Sequence, residues 1–219
     1  FKIFLASGKE FIYNDAFTDL AQNYCGMFEV DNKNRLISTM EKSGCCLHYY
    51  SDFIVENNNP KLIRTRTEDC LKAPICTTTV EEWKGEKMTK TVTSTIDLDS
   101  EIISDYFKFH IDKENKDIVL CNFYDDRLCY VILDAKQNVE FYYPFEELRQ
   151  TSDFIFFRKN GKLTFKNKDA SYTIYDKSGN MGIDITYKGK THQWKGNPES
   201  RRGSLVKLMK VKYDNVVYQ

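Results

Sequence analysis

Apolar and polar residues alternate in short segments through most of the chain, and turn residues interrupt them every few positions. In residues 182–188, Ile183, Ile185 and Tyr187 fall on one side while Asp184, Thr186 and Lys188 fall on the other. Residues 162–166 repeat the scheme with Leu163 and Phe165. Period-two alternation is the signature of a strand with one greasy and one wet side. The same reading predicts strands over 27–30, 46–56, 62–67, 77–83, 89–98, 102–111, 117–123, 128–134, 154–159, 162–167, 171–176 and 182–188, with a closing strand over 205–213. Helical spacing is rare. Phe17, Leu20, Ala21 and Tyr24 fall at i, i+3, i+4 and i+7, with Asn14 or Asp15 available as N-cap and Gly26 as exit. A second helix is predicted from Pro144 to Arg149, where proline suits the first position and Glu146 and Glu147 suit the dipole. Asn57-Asn58-Asn59-Pro60 breaks the chain, and Asn160-Gly161 is its strongest hairpin signal. Many short strands and few helices predict an all-β sandwich or barrel.

At 219 residues the chain is long enough for a sizeable core. No low-complexity linker or fixed repeat divides it, so one domain over 1–219 is expected. It comprises a leading helical segment (1–26), the first strands (27–143), a short helix (144–150) and closing hairpins (153–219). Basic and acidic residues balance at 32 each, so no global charge draws the chain to nucleic acid or anionic lipid. The basic residues Arg201, Arg202, Lys207, Lys210 and Lys212 read as a solvated face. No apolar run reaches the length of a membrane span. The chain starts at Phe1, which implies a removed leader or a trimmed terminus.

Seven cysteines, Cys25, Cys45, Cys46, Cys70, Cys76, Cys121 and Cys129, contain no C-x-x-C pair, which argues against zinc or thioredoxin chemistry. An oxidising compartment with at least two disulfides fits, and buried free thiols are the alternative. Cys45, Cys46, Cys70 and Cys76 are the foremost candidates. Cys121 and Cys129 face one another if their hairpin centres on Asp125.

Phe17-Thr18-Asp19-Leu20 followed by Gly26-Met27-Phe28-Glu29-Val30 resembles the opening of a lipocalin, in which a short helix precedes Gly-x-Trp and the aromatic plugs a closed eight-stranded barrel. Phe28 stands where that family usually has Trp. Residues 46–50 resemble the second strand of plant-type lipocalins, and residues 187–194 with 203–205 resemble the lipocalin domain of xanthophyll de-epoxidases. The Lys-, Asn- and Tyr-rich texture is similar to that of lipocalins secreted by malaria parasites. The resemblance implies a lipocalin-like up-and-down antiparallel barrel with additional hairpins and one or two short helices. It also implies a secreted, non-enzymatic protein of a parasitophorous or food vacuole, linked to heme crystallisation. Arg201, Arg202 or Lys207 would then lie across the Phe28 ring.

Under this reading Phe28, Leu47, Tyr49, Phe53, Phe107, Phe109, Tyr130 and Trp194 line a pocket, since ligand sites are mostly apolar. The same stripe equally describes a barrel filled with side chains. The expected partner is a small hydrophobic ligand, with heme or lipid as candidates, alongside a homo-oligomer and without nucleic acid. No cofactor is assigned. His48, His110 and His192 are weak heme-ligand candidates, lacking any metal-binding spacing. A catalytic reading would place a thiolate at Cys25 or Cys46 beside His48, but sequence adjacency on a strand does not position a base. Three functions stand side by side: a carrier of a small hydrophobic molecule, an interaction scaffold with a filled barrel, and a lipocalin-fold isomerase or de-epoxidase.

Overall fold

The structure is a computed structural model that describes residues 2–23, 27–71, 74–123, 126–144, 153–177 and 179–219. It is mostly strand, in largely antiparallel sheets. The chain divides into two compact units, Phe1–Ser94 and Thr95–Gln219, where a single domain is the expectation from sequence.

The N-terminal unit opens with a hairpin of β1 (Phe4–Ser7) and β2 (Glu10–Tyr13), followed by α1 (Asp15–Asn23). Asn14 caps α1, its side-chain oxygen accepting the Phe17 N–H at 3.0 Å. A six-stranded sheet follows in sequential order: β3 (Met27–Asp31), β4 (Leu36–Lys42), β5 (Leu47–Glu56), β6 (Asn59–Asp69), β7 (Ile75–Lys84) and β8 (Lys87–Ile96). Asn57 and Asn58 both hold positive φ, which makes Asn57-Asn58 a two-residue hairpin turn matched to strand twist. The Asn-rich break is thus a tight reversal, and Pro60 sits inside β6 opposite Val55. Phe17 of α1 packs with Ile37 and Phe53 in a small core, with Leu5 and Phe28 against it. One carboxylate is buried beside a bulge in the β5–β6 ladder. There Asp52 accepts from Ser38 Oγ at 2.7 Å and from Arg64 Nε at 2.6 Å.

The C-terminal unit holds two sheets. The first has the order β12–β11–β10–β9, from β9 (Tyr106–Ile111), β10 (Lys116–Phe123), β11 (Arg127–Leu133) and β12 (Val139–Tyr143). The second is built from β13 (Phe154–Phe157), β14 (Lys162–Asn167), β15 (Ala170–Lys177), β16 (Asn180–Tyr187) and β17 (Lys190–Lys195), with β18 (Val216–Tyr218) beside β13. Inward residues of both sheets share one core, including Phe107, Phe109, Leu120 and Tyr130 from the first and Phe154, Phe165, Ile174 and Ile183 from the second. Phe165 is its hub, stacking on Tyr172 at 4.5 Å and on Tyr143 at 4.6 Å, and lying 4.9 Å from Tyr130. Residues 128–133 are buried on both faces of β11, which explains the unbroken apolar run Leu-Cys-Tyr-Val-Ile-Leu.

Each sheet has a linear strand order with two free ends. Two sequence expectations need correction. Residues 205–213 are not the closing strand: α2 (Leu205–Leu208) buries Leu205 and Leu208 in the core with Met209 behind them. Their i, i+3, i+4 spacing is helical, and β18 closes the sheet instead, parallel to β13. Asn160-Gly161 does not form a two-residue turn, because Phe157 pairs with Lys162 and leaves a four-residue loop. Gly161 alone takes positive φ there, and its N–H reaches the Phe157 carbonyl at 2.9 Å. The helix predicted after Pro144, the Tyr124-Asp125 part of the central hairpin turn, Cys25 and Gly26 lie outside the described residues.

Candidate functional site

A concavity that could hold a ligand lies within the N-terminal unit, between the β1–β2 hairpin and the β3–β5 end of the sheet. It is an open groove of about 920 Å³. Ile3, Leu5, Phe28, Ile37 and Ile54 form its partly or fully buried floor. Phe4, Val30 and Val55 stand at the mouth, each about half exposed. The β3–β4 turn supplies a polar rim of Asp31, Asn32, Asn34 and Arg35, joined by Lys2 from the chain start.

That turn is ordered by Asp31. Its carboxylate accepts the N–H groups of Lys33 at 2.9 Å and Asn34 at 3.0 Å, and the Asn34 amide at 2.7 Å. These bonds, with the Asn34 backbone first, hold the Asp31 carboxyl below the ordinary carboxylate range. Arg35 sits at φ 55 and is exposed. Asp31 stays ionised, and Lys2 and Arg35 against it leave the rim with a net positive charge.

Of the eight pocket residues named from sequence, Phe28 lines this groove. Phe53 is packed in the N-terminal core. Leu47 and Tyr49 sit on β5, with Tyr49 opposite Thr67 and more than a third exposed. Phe107, Phe109 and Tyr130 are fully buried in the C-terminal core, and Trp194 packs at its margin. The apolar stripe thus divides between two separate cores. Sequence reasoning missed Val30, Ile54 and Val55, although all three lie on predicted strands. The sign that Val30 and Val55 stay uncovered comes only from the tertiary structure. Arg201 donates to Asp176 at 2.8 Å and Lys207 pairs with Asp105 at 3.5 Å.

The histidines are separately engaged. His48 Nδ1 lies 3.8 Å from Glu68. His110 Nδ1 lies 2.7 Å from Asp117, which also accepts from Lys108 at 2.8 Å and Gln137 at 3.0 Å. Burial pushes the Asp117 carboxyl up, but hydrogen bonds from Lys108, Gln137 and His110 outweigh it and hold the carboxyl below its ordinary range. His192 is exposed on β17 opposite Ile185. Among the described residues no three His, Cys, Asp or Glu side chains are grouped to hold a metal.

Cys70 and Cys76 form a disulfide, while Cys45, Cys46, Cys121 and Cys129 are free thiols. Cys121 and Cys129 do face one another across the β10–β11 ladder. The hydrogen bond between them, followed by burial, pushes the Cys121 thiol well up. The Cys46 thiol is also pushed up, first by its hydrogen bond with Cys45.

No family model matches the chain, and no curated protein matches it. Among solved structures it is similar to one described as the structure of a Xanthomonas Type IV Secretion System related protein, at 22% identity and a TM-score of 0.36. The match spans 41% of this chain and 43% of that one, less than half of either. No helix among the described residues is long and apolar enough to cross a membrane.

Proposed function

We propose that the chain is a binding protein, without catalytic chemistry of its own, whose N-terminal groove takes an amphipathic molecule with an apolar body and an anionic head. The observation that carries this reading is an apolar floor under a rim whose net charge is positive, through Lys2 and Arg35 against Asp31. The reading keeps the small hydrophobic ligand inferred from the lipocalin resemblance but seats it in an open groove in place of a barrel interior. Among the described residues the groove lining has no His, Cys, Met or Tyr. Heme bound there would lack an axial side-chain ligand, which favours an acyl carboxylate. The isomerase reading asks for a low-pKa thiol at the pocket; among the described residues no cysteine lines the groove, and the Cys46 thiol is shifted the other way. The Cys70–Cys76 disulfide supports residence in an oxidising compartment, in keeping with a secreted protein.

The test is titration with a fluorescent long-chain carboxylate and its uncharged methyl ester. Phe28→Asp and Val30→Asp should abolish binding of both. Arg35→Glu should weaken the carboxylate by about tenfold or more, through loss of a charged hydrogen bond of ~1.5–3 kcal/mol, and spare the ester. Binding that ignores all three substitutions refutes the proposal. A second reading, the interaction scaffold, draws on Phe11, Ile12 and Tyr13 of β2, which are 74%, 55% and 44% exposed. Under the first reading, Phe11→Ser with Ile12→Ser leaves probe binding intact.

A further inference from the structure

Three cysteines stand in one row across adjacent strands of the N-terminal unit. Cys70 and Cys76 continue the β6–β7 ladder one step beyond the Asp69↔Thr77 pair, and their sulfurs are bonded, with Cα atoms 4.1 Å apart. On the other flank, the Cys70 N–H donates to the Cys46 carbonyl at 2.8 Å, one step beyond the Leu47↔Asp69 pair. Opposed residues of an antiparallel pair put their side chains on the same face. Cys46, Cys70 and Cys76 therefore share one face, with Cys70 in the middle. A hydrogen-bonded pair separates Cα atoms by about 5.5 Å, inside the range a disulfide spans, so the middle sulfur has a bonding partner on either side. Next to this row, the sulfurs of Cys45 and Cys46 lie 2.9 Å apart at the β4–β5 turn, where Cys45 is exposed.

We propose that this row is a thiol–disulfide exchange site in which the bond to Cys70 moves between Cys76 and Cys46. Cys46 gives its proton to solvent, and its thiolate attacks Cys70 Sγ from the side opposite Cys76. The Cys46–Cys70 bond forms as the Cys70–Cys76 bond breaks, and Cys76 leaves as a thiolate that takes a proton from solvent. Electrons balance without an external oxidant, since one disulfide replaces another. Cys45 can then attack Cys46 Sγ, forming the Cys45–Cys46 disulfide and releasing Cys70. The exchange would carry the oxidising equivalent from the β6–β7 connection to an exposed turn, within reach of an outside thiol.

The sequence makes the test direct. Trypsin cuts after Lys42, Lys61, Arg66, Lys72 and Lys84, which places Cys45 with Cys46, Cys70, and Cys76 on three separate peptides. The full chain is held without reductant at about pH 8.5, where a minor share of the Cys46 thiol is ionised, then acid-quenched, alkylated and mapped by mass spectrometry under non-reducing conditions. Wild-type protein should yield Cys46–Cys70 or Cys45–Cys46 linked species beside Cys70–Cys76, and Cys46→Ser should lose both of the new species. Cys76→Ser treated with oxidised glutathione should give a Cys46–Cys70 link. Two results overturn the proposal: wild-type protein that keeps only Cys70–Cys76 with Cys46 fully alkylated, or a Cys76→Ser protein that stops at glutathione adducts. The wild-type arm carries no substitution, so misfolding of a variant cannot decide the outcome.

Discussion

Tyr130 buries its whole side chain in the C-terminal core, and its hydroxyl has no hydrogen-bond partner among the described residues. The ring itself is well held, with Phe165 at 4.9 Å, Phe141 at 5.9 Å and Tyr172 at 6.2 Å. Tyr130→Phe keeps those contacts and deletes only the unpartnered oxygen. A buried polar group without a partner costs about 1–3 kcal/mol, so the variant should be more stable by ~1–2 kcal/mol. For a chain of this size that corresponds to a rise in Tm of about 2–4 °C per kcal/mol. Tyr130→Ala, which opens a cavity at the same place, should cost about 3–5 kcal/mol. Thermal and urea unfolding, followed by fluorescence of Trp194 at the margin of the same core, compare the three proteins. Alkaline pH supplies a second readout. Burial first, then the charge of Tyr172, pushes the Tyr130 phenol well above its ordinary value. Near and above pH ~10 the unfolded chain ionises this tyrosine while the folded state keeps the proton. The unfolded state then binds fewer protons, and stability falls as pH rises. The advantage of Tyr130→Phe should therefore widen above pH ~10. A Phe variant less stable than wild type would show that the hydroxyl is bonded and the reasoning wrong.

Further expectations concern the polar groups that fasten the C-terminal unit. Asn215 is fully buried; its Oδ1 accepts the Leu128 N–H at 2.9 Å, and its amide donates to the Leu128 carbonyl at 2.9 Å and to Asp153 at 3.2 Å. Asn215→Ala strands all three and should cost about 2–4 kcal/mol in urea unfolding, while a loss under ~0.5 kcal/mol would contradict this. The Asp117 carboxyl is held low, so its stabilisation is present above its unfolded pKa of ~3.9 and is lost as pH falls through the folded value. Asp117→Asn should destabilise at neutral pH and match wild type in strong acid; a gap that persists in acid would refute the electrostatic account. Gly203 has φ +72, and a Cβ there would overlap the Tyr106 carbonyl oxygen. Gly203→Ala should disrupt the Lys108↔Arg202 bridge beside it and lower Tm, and an unchanged Tm would show that the segment yields freely.

Local chemistry alone marked many of the strands, although β1, β2, β4 and β12 were not read from it. The period-two alternation of residues 162–167 and 182–187 marks strands because a pleated strand turns successive side chains to opposite faces. Asn14 announces its cap for the same kind of reason, since its short side chain reaches the first free N–H groups. The facing of Cys121 and Cys129 follows from counting residues on either side of one turn. Where the sequence misled, two periodicities shared the same residues: Leu205, Leu208 and Met209 fit a helical face, and the core that receives them decided for helix. The apolar stripe from Phe28 to Trp194 could not say whether it formed one wall or two cores, because alternation reports that a face is buried and not what it is buried against. Only the tertiary structure parted it between the units, left Val30 and Val55 uncovered above the groove, and drew Cys46, Cys70 and Cys76 into one row. Those outcomes depend on strand register and on the packing of distant segments, and neither is written in the spacing of neighbouring residues.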